Sequence, residues 1–188
     1  MLWIGALAIG LVAGFVIGGR IDNLGRLRFR WPWLVVAVLA VREAALVTPL
    51  RNLDGIQYVY AAALAALVAW TVWQVPRIGG IWLVTAGAIA NLLVIAANGG
   101  RMPVAADLAG SLAQRGHLGQ YMLMSAGTQL NWLADWIALP APVGRWLPEA
   151  YSPGDVVIAI GIGVIVALAM RSRAGSEETR TRIVSDPP

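Results

Sequence analysis

Five long apolar stretches, the second carrying Arg42 and Glu43 at its middle, decide what this chain can fold into. A bilayer core about 30 Å thick needs roughly 20 apolar residues at about 1.5 Å of rise each. Segments 2–19, 31–50, 57–75, 81–97 and 155–170 approach that length. The breaks between them carry suitable chemistry: a basic run from Arg20 to Arg30, a polar turn from Arg51 to Gly55, and the Pro76, Gly79, Gly80 interruption. The expected fold is all-α, an integral membrane bundle of about five transmembrane helices forming one domain over residues 1–170. Composition agrees, since only 13% of the residues are charged and 59% are hydrophobic, against about 25% charged in an ordinary soluble chain.

The polar inventory excludes whole classes of function. All fourteen basic residues are arginine, so no lysine is available for a Schiff base with retinal or pyridoxal. Cysteine is absent and His117 is the single histidine. Thiolate and multi-histidine zinc sites, bis-histidine haem, iron–sulfur clusters and disulfides are thereby removed. A metal would have to bind carboxylate and carbonyl oxygens, and neither a metal nor a cofactor is expected. The pI near 10.3 does not point to nucleic acid. Nine of the fourteen arginines flank helix ends, where they read as topology signals, and no basic domain with interleaved aromatics is present.

Those arginines set the expected orientation. Arg20, Arg26, Arg28, Arg30, Arg77, Arg171, Arg173, Arg180 and Arg182 fall on one side, and Arg51, Arg101, Arg115 and Arg145 on the other. Basic residues in short loops stay cytoplasmic, so a multi-pass inner-membrane protein with its N-terminus outside and its C-terminus inside is expected. The first span lacks the basic n-region and small-residue cleavage pattern of a signal peptide and is expected to remain as an anchor. Residues 98–154 then form a large extracytoplasmic loop, with Leu130, Trp132, Leu133, Trp136 and Ile137 suiting a short interfacial helix or a lid over the bundle mouth. The polar segment 171–188 reads as a disordered cytoplasmic tail.

Small residues mark where helices approach one another. Gly10, Gly14 and Gly18 in the first span, and Ala159, Gly163 and Ala167 in the last, recur every four residues. Such stripes let backbones pack closely, within the chain or across a homodimer face. Asn91 shares a helical face with Gly80, Gly87 and Asn98 and is expected to make an interhelical hydrogen bond rather than a ligand contact.

Three features point to function. Arg42 and Glu43 lie in mid-span, where a charge costs roughly 2.5 to 3.5 kcal/mol on insertion scales. Adjacent helical residues point about 100° apart, so each needs its own partner. Either they border a polar cavity that binds a charged ligand or relays protons, or they lock the bundle by ion pairing. Next comes Asn98, Gly99, Gly100, Arg101, Met102, Pro103, Val104, most of which a helix C-cap explains. Arg101 is left over, and its guanidinium fork suits a carboxylate or phosphate or snorkels to the interface. Last is Asp135, a carboxylate within an apolar, aromatic stretch that faces Arg101 or the bundle mouth. Ser152, Pro153, Gly154, Asp155 reads as helix-start chemistry, with Ser152 as N-cap and Pro153 in the first position.

Taken in order, Asn98 to Val104, Leu133 to Pro140 and Ser152 to Gly161 resemble the motifs of an uncharacterised bacterial family of small polytopic membrane proteins, a domain of unknown function. The resemblance covers nearly all of the chain apart from the tail. The sequence Trp136, Ile137, Ala138 departs from that family's pattern after the aspartate and leaves Asp135 in place. The family implies membrane location and a helical fold, and no activity.

The expected function is that of a membrane protein without intrinsic catalysis. An outer polar cluster of Arg42, Glu43, Asn98, Arg101 and Asp135 binds an anionic small molecule or lipid headgroup, or docks a partner complex. The expected partners are membrane lipids, with a membrane-protein partner or a second copy as further options and no nucleic acid. A membrane enzyme acting on a lipid-linked substrate is the first alternative, with Asp135 or Glu43 as general base and Arg101 stabilising negative charge. A small proton-coupled transporter is the second.

Overall fold

The computed structural model describes residues 2–47, 54–114, 118–139 and 150–171, without the side chains of Arg42, 45–47, 111–114 and Leu118. The tail expected after Arg171, His117, Glu149 and the polar turn at Arg51 lie outside the described residues. The fold is mostly helical. Its long helices are α1 (Leu2–Val16), α2 (Pro32–Val47), α3 (Ile56–Gln74), α4 (Ile81–Ala97) and, at the end of the chain, α6 (Pro153–Arg171). Helices α3 and α6 have 19 residues each and are long and apolar enough to cross a membrane. At about 1.5 Å per residue each reaches roughly 28 Å. Helices α1 and α4 are apolar but shorter, at 15 and 17 residues.

The helices lie side by side in the order α2, α3, α4, α6, α1. Hydrogen bonds at one end and close glycine contacts between helices fix their directions. At one end Asn23 Nδ2 and Arg20 N donate to Met170 O at 2.7 and 3.0 Å, tying the chain after α1 to the C-terminus of α6. At the same end Gln74 Nε2 donates to Arg30 O at 2.7 Å, tying the C-terminus of α3 to the start of α2. Arg30 and Arg77 lie over the ring of Trp73, with the guanidinium carbons 4.9 and 5.7 Å from its centre. Helices α1 and α6 therefore run parallel, and α4 runs against α6, since Gly80 lies against Val164 and Ile165 while Gly87 lies against Gly154.

Of the small-residue stripes, Gly10, Gly14 and Gly163 pack within the chain as expected, whereas Gly18 lies beyond the end of α1 in a turn with a φ of +80° and nothing within 4 Å of an added Cβ. A Cβ on Gly10 would lie 2.7 Å from Gly163 O, so α1 and α6 touch backbone to backbone there. Gly14 seats the side chain of Met170, which is fully buried. Gly87 and Gly154 repeat this contact between α4 and α6 at the opposite end.

That opposite end carries the long loop, and here the structure departs from an all-α reading. Strand β1 (Met102–Val104) pairs in parallel with β2 (Tyr121–Leu123), and β3 (Ile137–Ala138) pairs antiparallel with β4 (Ala150–Tyr151). The stretch expected as an interfacial helix is instead a 3-10 turn at Asn131–Leu133 followed by extended chain. The reason is local and tertiary together. Leu130 has a left-handed φ of 56° and Ala134 is extended, while Asp135 N donates to Pro103 O and Asp135 O accepts from Ala105 N, both at 3.0 Å. The backbone groups that a helix would have paired internally are taken up by β1. Trp132 is 68% exposed and Trp136 half exposed, so the aromatic surface expected there exists on a non-helical segment. The loop does contain a helix elsewhere, α5 (Ala106–Gln114), with Asp107 in its first turn where a carboxylate suits the helix dipole.

Candidate functional site

The start of α6 is built by a reciprocal cap. Ser152 Oγ accepts from Asp155 N at 2.9 Å, and Ser152 N donates to Asp155 Oδ2 at 3.1 Å. Two of the backbone N–H groups that a helix start leaves without intrahelical partners are thus satisfied by a serine and a carboxylate three residues apart. Helix α4 joins this cap through Asn91. Its Nδ2 donates to Asp155 Oδ1 at 2.9 Å, and its Oδ1 accepts from Ser152 Oγ at 2.8 Å. Both oxygens of Asp155 are therefore occupied by donors. Gly154 lets Asn91 lie directly against the α6 backbone.

We expect Ser152→Ala to lose this junction twice over. The cap contributes about 1 kcal/mol, and the Asn91 oxygen left without its donor costs about 1 to 3 kcal/mol more. Thermal or denaturant unfolding should show a loss of about 2 to 4 kcal/mol, restored by Ser152→Thr; an unchanged midpoint in Ser152→Ala would contradict the junction's role.

Above this junction lies a cavity of about 250 Å³. Val38 and Leu39 of α2 and Ala63, Leu64 and Leu67 of α3 form an apolar wall. Tyr60, Asn91, Gln120, Tyr121, Asp135 and Asp155 bring polar groups from α3, α4, the strand layer and α6. No basic side chain lines it among the described residues.

Asp135 is the outlying group in this cavity. It is only 5% exposed, and its Oδ1 is buried with no hydrogen-bond donor among the described residues. Its backbone is held on both sides, by Pro103 O in β1 and by Ala105 N just after it. Burial, and then the neighbouring Asp155 carboxylate, push its pKa from 3.8 up to about 8.

The five residues singled out from the sequence are not gathered in one place. Asp135 lines the cavity. Asn98 instead clamps the end of α4 to the loop: its Nδ2 donates to Val94 O at 2.8 Å and to Gln129 O at 2.9 Å, and its Oδ1 accepts from Gln129 N at 2.8 Å. Gly100, with a φ of +87°, completes the turn by donating its N–H to Ile95 O at 2.8 Å. Arg101 is exposed, does not line the cavity and makes no ion pair with Asp135 among the described residues. Glu43 lies exposed on α2, and the side chain of Arg42 is outside the described residues. Asn91, Tyr60, Tyr121 and Asp155 complete the site and were not among those five. Asn91 and Asp155 could be singled out from the sequence only as packing and capping residues.

Residues 26–167 match the model of a family of unknown function, DUF5317. The chain belongs to that family. All residues lining the polar cavity fall inside the DUF5317 match, whereas α1 falls outside it. No curated protein and no solved structure matches the chain. Another groove, of about 540 Å³ between α1 and α6, is lined by Leu2, Ile9, Gly10, Ile160 and Gly163 among other apolar residues. It offers nothing to orient a polar ligand.

Proposed function

We propose that this member of the DUF5317 family is a five-span inner-membrane protein whose outer polar cavity, centred on Asp135, is a binding site. In this reading α1, α2, α3, α4 and α6 all cross the bilayer. The Arg20–Arg30 segment, Arg77 and Arg171 face the cytoplasm, and the strand layer caps the outer end. The N-terminus is then outside and the C-terminus inside, as the arginine asymmetry favours. A buried carboxyl with a raised pKa in a cleft marks a candidate functional site. The observation that carries the proposal is the unpartnered Oδ1 of a 5% exposed aspartate in a cavity of about 250 Å³. A small molecule or a lipid headgroup fits that volume. Binding without catalysis is favoured over the enzyme reading because Arg101, the group offered for stabilising negative charge, stands outside the cavity.

The absence of cysteine makes the topology directly testable. Single cysteines replacing Trp132 and Arg26 should respond oppositely to a membrane-impermeant maleimide in intact cells, the first labelled and the second protected. The reverse pattern would overturn the orientation. Filling the cavity with Leu64→Trp should expel any bound species while helical circular dichroism is kept; retention of the same species would place its site elsewhere.

A further inference from the structure

The cavity's chemistry narrows what can occupy it. Asp155 has both oxygens occupied by Asn91 Nδ2 and Ser152 N. Asp135 Oδ1, by contrast, is buried with an unused acceptor site. Two carboxyl groups thus line one cavity with no described basic side chain to balance them. An anion would face two carboxyl groups with no cation beside them among the described residues. A neutral hydroxyl would satisfy the open acceptor and, above about pH 8, leave the repulsion between the carboxylates standing. A positively charged N–H donor answers both, since it donates to Oδ1 and offsets the like charges. The other half of the cavity is the aliphatic wall of Val38, Leu39, Leu64 and Leu67, which suits a hydrocarbon stem. At about 250 Å³ the volume lies just under the range of roughly 300 to 1,000 Å³ that holds drug-sized ligands, so a short amine or the head of an amphiphile fits.

Resting on the binding-site reading above, the geometry points to a primary ammonium group on an apolar stem as the ligand, held by Asp135 with Asp155 behind it. The ammonium enters as the Asp135 carboxyl gives its proton to solvent, so one proton leaves for each cation bound. The groups that bear on this exchange are Asp155 from α6, Tyr60 from α3 and Tyr121 from β2. On α2, Arg42 stands one helical turn beyond Val38 in the sequence. The amine has two sources, a lipid headgroup or a free alkylamine.

The test is calorimetric titration of the protein in phosphatidylcholine nanodiscs with n-butylammonium, n-butanol and butyrate, three probes of one size and different charge. At pH 8 butylammonium should bind at least about tenfold more tightly than butanol, and butyrate should not bind. Its affinity should fall about tenfold for each pH unit below about 8, as one competing proton requires. Asp135→Asn should abolish both the preference and the pH dependence, and Leu64→Trp should block binding by filling the wall. Nanodiscs of phosphatidylethanolamine separate the sources: weaker butylammonium binding there identifies the lipid amine, and unchanged binding identifies a free one. Butanol binding as tightly as butylammonium would overturn the cation and leave the site standing. Binding of none of the three would overturn both. If Arg42→Gln bound butylammonium where the unaltered protein did not, the cation would be the chain's own guanidinium and the proposal would fail.

Discussion

Asp135→Asn is expected to make the protein more stable at pH 8 and above, by on the order of 5 kcal/mol when no ligand is present. The aspartate's pKa rises from 3.8 to about 8 on folding, so the folded state holds this proton more tightly than the unfolded chain does. Below about pH 4 both states are protonated and the carboxyl contributes no penalty. Between about 4 and 8 the unfolded chain releases the proton while the folded protein keeps it, and stability falls by about 1.4 kcal/mol per pH unit. Above about 8 the whole penalty stands. Asparagine keeps the shape of the protonated carboxyl and cannot ionise, so this contribution to the pH dependence disappears. Thermal unfolding followed by tryptophan fluorescence at several pH values checks it. A variant equally sensitive to pH, or less stable at pH 8, would show that Asp135 is satisfied in the folded protein.

The second large effect lies one layer deeper. Gly154→Ala is expected to destabilise the protein by about 3 kcal/mol, at the upper end of ordinary overpacking costs. A Cβ at this position would collide with Asn91 Oδ1 and would lie 2.7 Å from Gly87 O. One of those atoms is backbone, which cannot rotate away. The α4–α6 crossing must open, and the hydrogen bonds of Asn91 to Ser152 and Asp155 are strained with it. Gly5→Ala supplies the control, since nothing lies within 4 Å of the added carbon; it should leave the unfolding midpoint nearly unchanged. Equal effects in the two variants would mean that the α4–α6 contact is not what holds the outer end together.

The helices were legible because each is an apolar run closed by turn chemistry. The segment 81–97 coincides with α4, and its end was readable from Asn98, Gly99 and Gly100, whose donors and positive φ close the helix as the sequence implies. The last span begins at Pro153, two residues before the apolar run suggested, because the Ser152–Asp155 cap draws the turn into the helix. The strands were not legible. Runs of two or three residues such as Met102–Val104 and Ile137–Ala138 are too short for an alternating pattern to show. Their pairing is set by partners 12 to 19 residues away in the chain.

The site was legible in one residue. Asp135 stood out as a carboxylate among Leu133, Trp136 and Ile137 with no capping role, and it is the buried acceptor of the cavity. Arg101 stood out for the same kind of reason and lies exposed. Charge in an apolar context identifies a residue that needs an explanation; which way it faces depends on β1 and the register of the loop, neither of which periodicity records. Asn91, Tyr60 and Tyr121 enter the site only because α3, α4 and the strand layer converge there.

The central claim is that Asp135 lines a ligand site rather than an empty flaw in the packing. Native mass spectrometry of the protein extracted in its own membrane lipids, compared with Asp135→Asn, tests this most directly. The account predicts a small bound species or a tightly held lipid on the unaltered protein, lost in a variant that remains folded. The same occupancy in both proteins, or none in either, would contradict it.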